Sequence, residues 1–286
     1  MPQLLRSDRY TQVRAKKDRA STLVVHPSYG PAMPDLDWVP APRYLLRRDL
    51  VLRLFRSLPP GRILEIGCGA GTLLHDLAEI GFHGIGVDRS KKACDLARLV
   101  HQSNPKIEIT SDAGETGGEK FDYLASFEVL EHIRDDLGTL RSWRGYLREG
   151  GYLLLSVPAH PERWNAADDW AGHIRRYERQ QLETLLTQAG FDVSTIHSYG
   201  FPLASVMERL IVPVYARMMK TETAEALDTN GRTKQSGTDR RLLTKLWPFY
   251  SFPVCVFVLN LFCRLQRLFV DTDYGVGYIV VARRVD

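Results

Sequence analysis

An acid, three closely spaced glycines and a second acid stand between Arg62 and Ser90, and together they suit an adenosine-bearing ligand with an ammonium group. Gly67, Gly69 and Gly71 fall as G-x-G-x-G, a tight turn where a ligand can approach the backbone, with Cys68 inside it. A dinucleotide fingerprint would need a glycine at position 72, where Thr72 stands, and no P-loop lysine follows for a triphosphate. Glu65, two residues before the first glycine, favours an ammonium and disfavours pyrophosphate. Asp88, followed by Arg89, is placed to accept hydrogen bonds from both ribose hydroxyls.

Two further groups could carry proton or substrate chemistry. Glu128, Glu131 and His132 are spaced so that, on a helix, all three share one face. His132, with an ordinary pKa near ~6.5, suits a general base, and the trio could equally hold its loop by hydrogen bonds. In the run Gly172-His173-Ile174-Arg175-Arg176-Tyr177, a loop after a strand end can bring His173 and Tyr177 above the ligand. Arg175 or Arg176 could grip an anionic substrate group. Surface arginines and a packing tyrosine at a helix start are the competing roles. The assignment carried forward is His132, His173 and Tyr177 as catalytic, with no metal ligand.

Alternating strands and helices must position these residues. Apolar runs predict strands at Arg62–Ile66, Gly84–Val87, Ile107–Thr110, Phe121–Phe127, Tyr152–Val157, Phe191–Ser198 and Gly277–Arg283. Helical spacing predicts helices over Arg43–Ser57, after Pro42 at a favoured start position, and over Thr72–Glu79. Further helices are expected from Ser90, a good N-cap, to His101, then over Leu137–Leu147 and Glu178–Ala189. Gly150 and Gly151 fit a helix end, and Pro158–Ala171 is expected as a loop. Residues 1–41, polar and then proline-rich, are expected as an arm, residues 42–200 as the ligand-binding core, and residues 271–286 as its final strand.

The strand, the glycine turn with its acid, the following helix and Asp88 together resemble motif I and the next acidic position of class I S-adenosylmethionine-dependent methyltransferases. The block Phe127-Glu128-Val129-Leu130-Glu131-His132-Ile133 closely resembles the matching segment of the ubiquinone- and menaquinone-type members. Gly150-Gly151 before an apolar run, and G-H-x-R-R-Y followed by a helix and Ala189-Gly190-Phe191, are similar to the same group. The resemblance covers about Arg43 to Ser198 and the last strand. It implies an α/β fold, a Rossmann-like seven-stranded, mostly parallel sheet with helices on both faces, and S-adenosyl-L-methionine as cofactor. It further implies that Asp112, with Ala113, meets the adenine amino group, loop capping being the competing role of Asp112. Phe127 and Glu128 would line the methionine and substrate side, and Tyr44 and Arg47 lie on a helix that commonly covers the cofactor. The same E-x-x-E-H pattern binds a divalent metal in some quinone O-methyltransferases and small-RNA end methyltransferases. It also occurs in relatives without one, so base or structural roles rank ahead of metal.

About seventy residues separate the last two expected strands, far more than an ordinary connection. Phe201–Met219 is amphipathic with internal prolines, and Leu246–Cys263 has no charged residue but carries Pro248 and Pro253. Thr221–Arg240, between them, is polar and expected to be flexible. Both flanking strands belong to one sheet, so a single membrane pass is excluded. The insertion, residues 201–270, is therefore expected as a helical cover over the substrate, a peripheral membrane contact or a homodimer face. Its aromatics lean towards a lipophilic acceptor such as a phenol, a quinone precursor, a lipid or a secondary metabolite.

The 286 residues, 44% hydrophobic, suffice for one sizeable core with an elaboration. A net charge of +4 falls short of a committed nucleic-acid binder, and no N-P-P-Y-like motif follows the fourth strand. The basic cluster from Arg6 to Arg19 is expected as a solvated tail, with attraction to anionic lipid as the minor reading. Cys68, Cys94, Cys255 and Cys263 show no C-x-x-C spacing and suit reduced thiols. The first thirty residues carry no signal-peptide core, so the expected location is cytoplasmic, with a candidate peripheral contact at the inner membrane face. A protein of this fold that binds the cofactor without transferring methyl, or that catalyses cyclisation, is the alternative.

Overall fold

Short β-rich apolar runs at Arg62–Ile66 (β3), His83–Val87 (β4), Ile107–Thr110 (β5) and Phe121–Phe127 (β6) form the parallel half of a seven-stranded sheet in the computed structural model, which describes residues 23–221 and 240–285. Leu147–Pro158 (β7) continues it in parallel, and Gly277–Arg284 (β9) inserts antiparallel between β7 and Phe191–Tyr199 (β8). The strand order is β5-β4-β3-β6-β7-β9-β8. Inward residues such as Ile63, Leu124, Leu154 and Ile279 are fully buried, as a sheet covered on both faces requires.

Pro42–Arg56 (α1), Thr72–Glu79 (α2), Lys91–His101 (α3), Asp136–Tyr146 (α4), Ala166–Ala171 (α5) and Arg179–Gln188 (α6) flank the sheet. Ser90 caps α3, its side chain accepting from the Ala93 N–H at 3.4 Å. The helix expected to run through Leu147 stops at Tyr146, because Leu147 pairs with Phe121 and starts β7. Gly150, at φ +68°, then falls inside that strand. The expected loop Pro158–Ala171 contains α5, capped by Asn165.

Of the arm expected over residues 1–41, the described part is ordered. Val24–His26 (β1) and Gly30–Ala32 (β2) form a hairpin, and Met33 and Trp38 bury against Ala70, Leu96 and Val100. The cluster Arg6 to Arg19 lies outside the described residues. Between β8 and β9 the chain forms Leu203–Thr221 (α7), Arg241–Tyr250 (α8) and Pro253–Gln266 (α9). The expected polar stretch between Thr221 and Arg240 lies, apart from those two residues, outside the described ones. Among the described residues no single helix is long and apolar enough to cross a membrane, and α8 and α9 meet at a 96° bend.

Candidate functional site

The carboxyl ends of β3, β4 and β6 open into a cleft of about 1330 Å³. That exceeds the ~300–1,000 Å³ of a typical small-molecule pocket and leaves room for two ligands side by side. Glu65, Gly67, Cys68, Gly69, Asp88, Arg89, Asp112, Ala113, Phe127, Glu128, His132 and His173 all line it.

At one end the glycine turn is set by backbone geometry. Gly67, Gly69 and Gly71 have φ of +77°, +56° and +69°, the left-handed region that glycine alone enters at little cost. A Cβ on Gly67 would lie 2.3 Å from Val129 Cγ2, whereas one on Gly69 would meet nothing within 4 Å. Gly67 thus serves close packing, and Gly69 keeps the cleft open. The Gly69 N–H donates to Asp88 Oδ2 at 2.9 Å and the Ser90 N–H to Oδ1 at 2.8 Å. Asp88 is held rigidly, with lone pairs remaining on both oxygens for further donors. Glu65 is 3% exposed and its Oε2 has no hydrogen-bond partner. Burial pushes its pKa up to about 8, with Asp88 and Asp76 adding to the effect and Arg47 opposing it. Asp112 accepts from the Gly114 N–H at 2.9 Å, so it caps the turn and lines the cleft together.

Glu128 sits between the two ends. Its φ of +59° is left-handed for a non-glycine residue, a strained conformation held by its partners. Oε1 accepts from Ser156 Oγ at 2.8 Å and from Tyr199 OH at 3.1 Å, and Oε2 from Arg43 at 3.2 Å. Arg47 approaches Oε1 at 3.4 Å. Burial opposes the charge on Glu128, but Arg43 and Arg47 outweigh it and hold the carboxyl well below its usual range.

At the far end the expected grouping of Glu128, Glu131 and His132 on one helical face does not form. The left-handed turn at Glu128 sends its side chain to α1, and only Leu130–His132 make a short 3₁₀ turn. Glu131 and His132 instead meet His173, and ligand atoms of the three lie within 4.8 Å of one another. Glu131 is fully buried and neither carboxylate oxygen has a hydrogen-bond partner. Its pKa is pushed well up by burial and by the charge of Glu128. His132 Nδ1 lies 3.0 Å from the Gly172 carbonyl, which can only accept, so Nδ1 carries the proton and Nε2 keeps a lone pair. Burial, with His173 alongside, lowers the His132 pKa to about 4. His173 Nδ1 donates to Asp168 Oδ1 at 2.8 Å, and its Nε2 stands 3.8 Å from Glu131 Oε1.

Two sequence-derived candidates leave the site, and a third lines it with its side chain committed to acids. Tyr177 is buried within the other core cluster and donates to Asp136 Oδ2 at 3.2 Å, because its backbone bridges Ala159 and turns the ring into the core. Arg175 is paired with Asp136 and donates to the Arg134 carbonyl at 2.7 Å. Arg176, 5% exposed, donates to both oxygens of Asp168, at 2.8 and 2.7 Å, and to Glu208 at 2.7 Å. It lines the cleft but is committed to these acids.

Other residues of the cleft carry no local sequence signal. Arg43 lines the cleft and, with Tyr199 and Ser156 outside its lining, holds Glu128, and Met207, Glu208, Leu243 and Lys245 bring the insertion into the wall. Glu208, a lone acid in an apolar helix, was the one readable hint, since a buried acid calls for a partner.

Similarity to known proteins follows the same outline. A family described as a methyltransferase domain matches residues 41–196. A ubiquinone biosynthesis O-methyltransferase of Cereibacter sphaeroides is 36% identical over 151 residues, covering 46% of this chain and 60% of that protein. The chain thus spans about three fifths of the length of the curated relatives it matches. The solved structure of an S-adenosylmethionine-dependent methyltransferase from Mesorhizobium loti superposes with a TM-score of 0.51 at 17% identity, covering 85% of this chain and 98% of that one. A putative sarcosine dimethylglycine methyltransferase from Galdieria sulphuraria reaches 0.53 at 13% identity, covering 85% and 87%.

Proposed function

The chain belongs to the methyltransferase-domain family, and we propose that it transfers methyl from S-adenosyl-L-methionine to a hydroxyl of a small, apolar acceptor. The observation that carries this is one cleft lined by Glu65, Gly67, Gly69 and Asp88 at one end and by His132 and His173 at the other, with the buried Glu131 carboxyl against the two histidines. The cofactor supplies a methyl group already activated on a sulfonium, so the protein's task is alignment and exclusion of water.

The residues at the first end fit that group. Glu65 has a buried, unpartnered oxygen for an ammonium, and Asp88 has two fixed oxygens for vicinal hydroxyls. Gly69 leaves open the space that a Cβ would fill, and Asp112 and Ala113 border the base. Arg43 and Arg47 hold Glu128 charged, fixing the strained peptide between cofactor and acceptor.

At the acceptor end, His173 is the candidate base, because Asp168 holds its Nδ1 and orients the ring, while burial makes His132 a weak base. A divalent cation fits the same place: Glu131 offers buried oxygens without partners, and both histidines have Nδ1 fixed by a backbone carbonyl or a carboxylate. When bound it would lower the pKa of an acceptor hydroxyl. The name of the Cereibacter relative favours a phenolic acceptor, and Ala204, Met207 and Leu243 give the insertion's side of the cleft apolar surface for its substituents.

Calorimetric titration with S-adenosylhomocysteine, with EDTA or with added Mg2+, tests the reading, followed by labelled methyl transfer to alkyl-substituted catechols. Tight binding and labelled product are expected. A folded protein that binds no S-adenosylhomocysteine under either condition refutes it.

A further inference from the structure

Exposed apolar side chains gather on α8 and α9. Along α9, Val254, Phe257, Val258 and Leu261 recur at i, i+3, i+4 and i+7, and all are exposed, Phe257 by 69%. Phe249 and Phe252, exposed by 70% and 61%, extend the surface across the bend. The opposite face of α9 is fastened to the core. Leu259 and Cys263 are buried there, and Gln266 accepts from the Gly200 N–H at 3.0 Å and donates to the Leu46 carbonyl at 2.9 Å. The fold therefore holds this stripe outward.

Charge tells what covers it. Residues 240–270 contain five bases, Arg240, Arg241, Lys245, Arg264 and Arg267, and no acid. Arg267 is committed to Asp49, Arg241 and Lys245 border the cleft, and Arg264 stands exposed three residues beyond Leu261 on α9. With 10 and 14 residues, the helices are about 15 and 21 Å long, short of the ~30 Å hydrocarbon core. Together the two helices are apolar enough to enter a bilayer, but the 96° bend and the two flanking strands in one sheet rule out a single straight span.

We propose that this face docks the protein on the surface of an anionic lipid bilayer. The α9 stripe, Phe249 and Phe252 enter the acyl boundary, Arg264 meets the headgroups, and the acid-free, basic segment adds attraction to an anionic surface. A second copy fits less well, because a two-fold contact sets the same bases against one another with no acid in the segment to answer them. Docking also deepens the reading of the cleft. Leu243 and Lys245 of α8 line it, while Leu246 and Phe249 of the same helix face out, so an apolar acceptor reaches the cleft along a docked wall.

The full chain is sedimented with vesicles of phosphatidylcholine alone and of phosphatidylcholine mixed with phosphatidylglycerol, at low and high salt. Binding to the anionic vesicles that weakens with salt is expected. Phe257→Glu with Leu261→Glu should lower partition at least ~10-fold, and Arg264→Gln about fivefold, the effect of one base near such a surface. S-adenosylhomocysteine affinity and the circular dichroism spectrum should stay unchanged in both. Equal binding to both vesicle types, or undiminished binding by the double variant, overturns the proposal. So does a concentration-dependent dimer that the double substitution dissolves, which assigns the face to a second copy. Vesicle binding by a chain that binds no S-adenosylhomocysteine supports docking and refutes only the catalytic reading.

Discussion

Replacing Glu65 by glutamine should remove a pH dependence from cofactor binding, and its size follows from where Glu65 lies. Burial raises the pKa of the free carboxyl to about 8, so about 1% is charged at pH 6 and about 10% at pH 7. An ammonium bound against Glu65 needs the carboxylate. Affinity for S-adenosylhomocysteine should then rise roughly tenfold between pH 6 and pH 7. Methylthioadenosine, which lacks the amino acid part, should bind with no such slope. Glu65→Gln should flatten the profile and weaken binding about 10- to 100-fold at pH 8, the worth of one charge-assisted hydrogen bond. Stability moves the other way. The folded-state pKa lies above the ordinary 4.5, so the unfolded chain releases its proton first and the parent loses stability as pH rises from 4.5 to about 8. At about 1.36 kcal/mol per pKa unit the loss is at most about 5 kcal/mol, and the glutamine removes it. Urea denaturation should find the variant more stable than the parent near pH ~8.5 and equal to it near pH ~4. A parent whose affinity is flat between pH 6 and pH 7, or a variant binding S-adenosylhomocysteine as tightly as the parent at pH 8, refutes the placement of the ammonium.

Four further outcomes are expected. Gly67→Ala should destabilise the fold by about 2 kcal/mol or more in a thermal melt, since its Cβ meets Val129 at 2.3 Å in a left-handed backbone. Gly69→Leu should fold yet lose S-adenosylhomocysteine binding by calorimetry, because its side chain enters the open cleft. Glu131→Gln, which replaces a buried carboxyl without hydrogen-bond partners by a neutral group of the same shape, should not lower the melting temperature but should abolish any heat of Mg2+ or Mn2+ binding. Asp168→Asn should cost about 3–5 kcal/mol in urea denaturation, because Arg176 loses its two-oxygen partner in the interior.

The sequence by itself determined the strand–turn–helix around Gly67 to Gly71, the acid at Asp88 and, through the family resemblance they carry, the seven-stranded, mostly parallel sheet. Those features are local: glycines at left-handed positions, strand and helix periodicity and the acid spacing act within a few tens of residues. It also showed that the sheet is interrupted late by an apolar insertion. What decided the acceptor end was tertiary. Glu131 and His132 reach His173, forty residues on, because β6 and β7 lie side by side and both open at the same edge. Periodicity placed Glu128 with Glu131, but Arg43 and Arg47, on a helix that precedes the first sheet strand, draw it away. Adjacent residues split likewise: His173 faces the cleft, while Tyr177 turns into the core and Arg176 closes on Asp168 and Glu208. Charges and rings choose partners by distance in space, and those partners came from distant parts of the chain whose meeting only the packed sheet and helices set.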